Sequence, residues 1–238
     1  MEKESVSLNK YISSKGLCSR READRWIESG RLKINGVVAQ KGNRVAEGDK
    51  VLLDNKAISK APKTVFIVLN KPRGIVSTPD KKDPKNIVDF VNFKDRLFHV
   101  GRLDKASEGL IFMTNDGDIV NKILRAGNAH EKEYIVRVDK TINKNFVEKM
   151  SGGLPILGTK TLPCEVEILG KKKFKIILKQ GLNRQIRRMC EYLGYEVMNL
   201  KRVRIMHIKL GNLKTGQWRH FSKSEVSEMD RLLRSSRK

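Results

Sequence analysis

Residues 55–64 form a polar stretch containing Pro62, and the chain then breaks abruptly into an unbroken apolar run over 65–69. A strand apolar on both faces needs cover on both faces, so the run predicts an inner strand of a covered sheet rather than an edge. The stretch before it reads as a linker. Together they divide the chain into a small module, residues 1–63, and a larger one, residues 64–238, and 238 residues is long enough for both.

In the small module Leu8 and Ile12 make an apolar i, i+4 pair followed by Gly16, which predicts a short helix with a glycine cap. Ser19 and Glu22 have capping-box spacing; the helix they open turns Ala23, Trp26 and Ile27 inward and stops at Gly30. Residues 32–39 are two apolar runs around Asn35-Gly36, a pair that tolerates positive φ and so predicts a hairpin. A turn at Gly48-Asp49 and a strand over 51–53 follow. Arg20, Arg21, Arg25, Arg31 and Lys33 gather on and just after the second helix, with Lys10 on the first. Alone, such a group is either a solvated face or a phosphate-binding one. The order helix, helix, hairpin, with Leu8-Asn9-Lys10, Cys18-Ser19-Arg20-Arg21-Glu22-Ala23 and Ile34-Asn35-Gly36, resembles the S4 RNA-binding domain. That resemblance implies phosphate contacts by Arg20, Arg21, Arg25 and Lys33.

In the larger module strand patterns fall at 97–100, 110–114, 134–138, 166–169, 174–178 and 197–200, and helical patterns at 119–124, 143–150, 184–193 and 223–233. Strands outnumber helices without regular alternation, which predicts an α+β domain on a mixed sheet. The closing segment, 222–238, reads as an amphipathic helix with a basic frayed end. No apolar run approaches the ~20 residues that cross a bilayer, and the polar N-terminus lacks a signal-peptide core. A soluble cytoplasmic protein without a membrane partner is expected.

Fifty Lys and Arg stand against 27 Asp and Glu, a formal net charge of +23 spread through the whole chain. That distribution points to nucleic acid; a membrane surface is bound by a concentrated basic cluster or helix instead. Cys18, Cys164 and Cys190 are far apart, with no C-x-x-C pair, which fits a reducing compartment. His99, His130, His207 and His220 show no metal-ligand spacing, and there is no P-loop or post-strand G-x-G-x-x-G. Neither a metal nor a cofactor is expected.

Residues 99–110 lie between two apolar runs and place Gly101 and Gly109 on either side of a charged core, so they read as a loop rimmed by strands. Asp104 in that loop is either a turn former or cap, or a reactive carboxylate. Arg102 and the later run Gly181-Leu182-Asn183-Arg184-Gln185-Ile186-Arg187-Arg188 supply cations that favour a charged carboxylate.

Gly101-Arg102-Leu103-Asp104, Ser107-Glu108-Gly109-Leu110 and Thr114-Asn115-Asp116-Gly117 are similar to the signature of the RsuA family of ribosomal RNA pseudouridine synthases. Lys132-Glu133-Tyr134 and Gln185-Ile186-Arg187-Arg188-Met189 resemble its second and third motifs, and Leu69-Asn70-Lys71-Pro72-Arg73-Gly74 the turn that opens its catalytic domain. Segments 86–91, 119–132, 154–159 and 180–197 look most like the members that act on the large subunit. With the S4-like module in front, the resemblance covers essentially the whole chain.

The resemblance implies a cofactor-free isomerisation of uridine on a flipped-out base, related in physical terms to a retaining glycosidase deprived of its water. It implies Asp104 as nucleophile or base, with Arg187 pairing with it and holding its orientation. Tyr134 would stack on the uracil or move a proton at C5; the competing reading is an ordinary core tyrosine. Arg102 would fill the space the base vacates. Arg184 and Arg188 would contact RNA, against the alternative of a solvated face, and Lys201, Arg202 and Arg204 would extend that basic surface. The implied partner is ribosomal RNA of the large subunit, with a transfer RNA as an additional substrate left open, bound by a monomer. Two functional classes survive: this isomerase, or a non-catalytic S4-type RNA-binding or ribosome-assembly protein. RNA methyl transfer lacks a glycine-rich cofactor loop. Which uridine is modified stays open.

Overall fold

The structure, a computed structural model, describes residues 5–58, 62–124 and 130–234. Part of the expected linker (59–61), part of the segment 119–132 (125–129) and the expected basic end (235–238) lie outside the described residues. The chain separates into two compact units, one comprising Met1–Thr64 and Lys94–Arg96, the other Val65–Phe93 and Leu97–Lys238.

In the first unit β1 (Ser5–Ser7) leads into α1 (Leu8–Ser14), followed by α2 (Arg20–Glu28), β2 (Leu32–Ile34), β3 (Val37–Val38), β4 (Arg44–Ala46), β5 (Val51–Leu53) and β6 (Lys56–Ala57). Ser19 Oγ accepts the Glu22 N–H at 3.0 Å, satisfying one of the orphan donors that open α2. Asn35 and Gly36 adopt φ of 51° and 88°, the mirror-turn geometry that matches the twist of the β2–β3 hairpin. Asn35 also ties that hairpin to the next turn, donating to Asp49 Oδ1 and accepting from Lys50 N, each at 2.9 Å. Leu8, Ile12, Ala23, Ile27, Leu32, Val45 and Val51 form the core of this unit, whose main sheet has the order β3-β2-β5-β6.

The second unit contains β7 (Phe66–Lys71), α3 (Ile87–Val91), β8 (Phe98–Val100), β9 (Glu108–Thr114), α4 (Gly117–Leu124), β10 (Lys132–Val138) and α5 (Lys144–Gly152). It continues with the small hairpin β11 (Pro155–Ile156) and β12 (Thr159–Lys160), then β13 (Glu165–Gly170), β14 (Lys173–Leu178), α6 (Gln185–Tyr192) and β15 (Val197–Ile205). β16 (Ile208–Lys209), β17 (Trp218–His220) and α7 (Lys223–Arg234) complete it. Among the described residues, its nine-stranded sheet has the path β13-β14-β10-β15-β9-β7-β17, with β16 on β15 and β8 on β9. Neighbours are antiparallel except β9 and β15, which run parallel at the centre, so the sheet is mixed as the sequence predicts.

Helices cover both faces. Ile123 of α4 and Met229 and Leu233 of α7 pack with Val68, Leu110 and Phe112. On the other face Ile87 and Val91 of α3 pack with Ile67 and Leu69, while α5 and α6 place Phe146, Met150, Ile186 and Met189 with Val136, Phe174 and Ile176. Ile67, Val68 and Leu69 are therefore fully buried on alternate faces, which is why the run that opens this unit has no polar positions.

Candidate active site

The register of the sheet lines up four residues across its middle. Tyr134 of β10 lies opposite Arg202 of β15, Arg202 opposite Gly109 of β9, and Gly109 opposite Lys71 of β7. Gly109 permits the row: at φ +107° a Cβ would stand 2.2 Å from the Arg202 carbonyl oxygen, so β9 and β15 approach this closely only with glycine. The Arg202 guanidinium carbon lies 6.0 Å from the centroid of the half-buried Tyr134 ring, and its Nε donates to Leu110 O at 2.6 Å.

This corrects the expectation that Arg202 and Arg204 extend a basic surface with Lys201. Arg202 is only 3% exposed. Arg204 is tied to Glu133 at 2.9 Å and Glu131 at 3.1 Å, and Lys201 is half-buried. Arg202 is thus internal and Arg204 is taken up by two carboxylates, so neither is offered to a polyanion.

The loop carrying Asp104 joins β8 to β9 and is braced from several directions. Leu103 N–H donates to Ser77 Oγ at 3.1 Å, and the Ser77 hydroxyl donates to Leu103 O at 2.9 Å, a two-way clasp on one residue. Lys71 Nζ donates to Ser107 O and Pro72 O, each at 2.9 Å, and Gly74 N donates to Lys105 O at 2.8 Å. From α6, Arg187 donates through Nη2 to Ala106 O at 3.2 Å and Ser107 Oγ at 3.3 Å, and through Nη1 to Val197 O at 3.1 Å. Leu103 is buried in the α3 core, whereas the neighbouring Asp104 side chain keeps 37% of its surface exposed. The backbone is fixed and the carboxylate is offered to solvent.

Arg187 Nε lies 4.0 Å from Asp104 Oδ2, an ion pair too long for a hydrogen bond, and this buried Nε has no hydrogen-bond partner among the described residues. An unsatisfied donor thus stands a short movement from the carboxylate, a slack geometry that binding can tighten. Burial draws the Arg187 guanidinium down from its ordinary value, Arg184 adds to this, and the Asp104 charge opposes it. Arginine stays cationic in any case. Burial also pushes the Lys71 ammonium down to about 8, against the attraction of Asp104, and takes Lys132 to about 8 with help from Arg202.

Of the other expected site residues, Arg102 is exposed next to Leu103, and Arg184 is exposed at the start of α6 in a left-handed conformation, φ 50°. Arg188 turns back to Asn183, donating through Nε to its carbonyl at 3.1 Å. In the first unit Arg20, Arg21 and Arg25 are exposed on α2, Arg25 pairing with Glu22 at 2.9 Å. Lys33 is half-buried and donates to Asn55 Oδ1 at 2.9 Å. The structure thus brings Asp104 and Arg187 together and puts Tyr134 in the row with Arg202. Lys71, Ser77 and the buried role of Arg202 are not foreseen from sequence. A lysine two residues past an apolar run and just before a proline was a usable signal for the first; Ser77 offered none.

Among the described residues no group of three His, Cys, Asp or Glu side chains converges as a metal site requires, and no helix is long and apolar enough to cross a membrane. What the site offers is one partly exposed carboxylate on a braced loop, a largely covered arginine beside it, and an aromatic ring in the row that crosses the sheet at Gly109.

Residues 65–192 match the family model of RNA pseudouridylate synthases, and residues 6–51 match the S4 domain. The chain is 54% identical to the dual-specificity RNA pseudouridine synthase RluF of Escherichia coli (strain K12), over 98% of its own length and 81% of that protein's. It is 34% identical to ribosomal large subunit pseudouridine synthase B of Bacillus subtilis (strain 168), over 94% of its own length and 96% of that protein's. A crystal structure of a pseudouridylate synthase superposes with a TM-score of 0.69 at 26% identity, covering 94% of this chain and 99% of that one. These matches bear out the resemblance drawn from the Asp104, Tyr134 and Arg187 motifs, and with it the S4-then-synthase order. Matched by the family model over more than half its length, and by two bacterial enzymes nearly end to end, the chain belongs to the RNA pseudouridylate synthase family and carries an S4 domain ahead of the synthase fold.

Proposed function

We propose that this synthase converts a specific uridine of large-subunit ribosomal RNA to pseudouridine, with Asp104 as the carboxylate that touches the reacting nucleotide. One observation supports the residue assignment: Asp104 is partly exposed on a loop clasped by Ser77, Lys71 and Arg187, with Arg187 Nε 4.0 Å from its carboxylate. The N1–C1′ bond of uridine breaks, the freed uracil rotates, C5 bonds to C1′, and the proton lost from C5 is balanced by one gained at N1. The reaction is an isomerisation, so no co-reactant or cofactor is consumed. Asp104 acts by attack at the sugar, attack on the base, or proton abstraction, and each needs the uridine out of its stack.

In this reading Arg187 positions Asp104, Tyr134 lies against the uracil or handles the C5 proton, and Arg102 occupies the space the base leaves. Arg184 and Arg188 take phosphates near the site. The module over 1–63 grips RNA through Arg20, Arg21, Arg25 and Lys33, and the module over 64–238 does the chemistry. The choice of a large-subunit RNA follows the name of the Bacillus relative, and the words dual-specificity in the name of the Escherichia relative support a second RNA, for which a transfer RNA is the candidate. The enzyme works as a monomer in the cytoplasm. A non-catalytic RNA-binding or assembly role, open on the S4 resemblance alone, is disfavoured by 54% identity to a named synthase across 98% of the chain.

The test is pseudouridine mapping on unmodified large-subunit ribosomal RNA and on transfer RNA after incubation with the purified protein. Conversion at one or a few defined uridines is expected. No conversion in either RNA would overturn the proposal.

A further inference from the structure

Beyond the Asp104 site, the β17 edge of the sheet carries an aromatic group that the reaction does not use. Trp218 and His220 lie opposite Leu69 and Ile67 of β7, so they face the side of the α3 core, the side on which Leu103 leads into Asp104. Arg219 between them turns to the opposite face, where two bonds of 2.7 Å hold it to Glu225. Phe93 completes the group, with ring centroids 5.4 Å from Trp218 and 5.9 Å from His220, while Trp218 and His220 stand 5.5 Å apart. The planes cross at 66°, 74° and 89°, so neither neighbour stacks flat on the indole.

Trp218 keeps 37% of its surface exposed and nearby Phe90 38%. Covering the edge of the α3 core would not require a tryptophan left partly in water. Trp218 pairs with Leu69, and Leu69 with Ile111 of β9, so the indole is two strand steps, roughly 10 Å, from the strand that the Asp104 loop enters. A chain with a net charge of +23 attracts a polyanion, and RNA recognised by sequence is read as unstacked bases laid on aromatic rings.

We propose that Trp218, packed against Phe93 and His220 and left partly exposed, is a stacking platform for an unpaired base of the substrate RNA that flanks the target uridine. The proposal rests on the reading that RNA is the substrate. The platform tolerates any base, because each has a π-face, and it adds grip on the strand rather than chemistry.

The chain has two tryptophans, so Trp26→Phe leaves Trp218 as the only indole. Titrating that protein with a short single-stranded oligouridylate is expected to quench its emission markedly at saturation, and a fully paired duplex of equal length to quench it much less. Trp218→Ala is expected to raise Kd for a stem-loop fragment of the substrate by roughly 5-fold to 150-fold, with Trp218→Tyr recovering most of the loss. Unchanged emission on saturation with the single strand overturns the platform, as does a wild-type Kd in Trp218→Ala. A change in sedimentation behaviour of Trp218→Ala without loss of RNA affinity also overturns it, by making the patch a protein interface. Should Trp218→Ala fail to fold, the emission titration and Trp218→Tyr decide alone. Pseudouridine formation by the Trp26→Phe protein is followed in parallel: its absence counts against the functional reading, whereas unchanged emission with pseudouridine still formed counts against the platform alone.

Discussion

Gly109 lies so close to Arg202 that a side chain on it would have its Cβ 2.2 Å from the Arg202 carbonyl oxygen. This is the point where β9 and β15 run parallel and where Arg202 Nε binds Leu110 O, so one glycine sets the spacing of the central strands next to the Asp104 loop. Gly109→Ala has to push those strands apart at a φ of +107°. It is expected to destabilise the protein by about 3–5 kcal/mol, read from the denaturant midpoint at constant slope. A midpoint within error of wild type would show that the strands yield freely.

Ser77→Ala deletes both bonds that clasp Leu103, the residue before the proposed reactive carboxylate. A stability loss of about 1–3 kcal/mol is expected from the buried partners left unmatched. The informative readout is kinetic: kcat falls by about 10-fold to 100-fold through misplacement of Asp104 while RNA affinity stays within a few fold. An unchanged kcat would mean that the clasp holds the fold but not the site.

Arg187→Lys keeps the charge but loses the fork that reaches Val197 O, Ala106 O and Ser107 Oγ at once. Under single-turnover conditions the rate of pseudouridine formation is expected to drop by about 100-fold or more, with little change in Kd. If lysine supports near wild-type rates, Arg187 acts as a charge and not as a brace.

Lys71 gives a pH signature. Its folded pKa of about 8 lies below its ordinary 10.5, because burial penalises the ammonium. Between these values the unfolded chain holds more protons, so ∂ΔG/∂pH for unfolding is positive, and this contribution to stability rises from about pH 8 toward 10.5. Lys132 titrates in the same direction and is common to wild type and Lys71→Met, so the difference between them isolates Lys71. Wild type is expected to gain on the variant across that window in denaturant unfolding. A difference that stays flat from pH 7 to pH 10 would contradict the burial cost assigned to this lysine.

What could be read from sequence was local. The Asn35-Gly36 turn, the Ser19 cap and the inner strand through Ile67, Val68 and Leu69 each depend on neighbours within a few residues, and each appears in the structure. The five-residue α3, capped by Asn86 accepting from Asp89 N at 2.8 Å, was too short for a periodic pattern to emerge. β15 runs on to Ile205 rather than ending near Leu200, because Lys201, Arg202 and Arg204 disguise a buried strand as a polar one. The row Tyr134, Arg202, Gly109 and Lys71 depends on register between distant strands, which no local pattern encodes. Asp104 and Arg187 were paired in advance only through the resemblance of their motifs; spacing alone does not bring an aspartate in one loop to an arginine on a helix more than eighty residues later.

The central claim is that Asp104 does chemistry rather than shaping its loop. Among the described residues its side chain accepts no hydrogen bond that holds the loop, which is braced through backbone atoms of Leu103, Lys105, Ala106 and Ser107. Asp104→Asn should therefore still fold, its unfolding midpoint lowered only by the lost attraction to Arg187 and Lys71. Single-turnover pseudouridine formation on the mapped RNA, measured beside RNA affinity, is the most direct test. Complete loss of product with Kd within a few fold of wild type is the predicted result; product formed by Asp104→Asn at a rate near wild type would contradict the account.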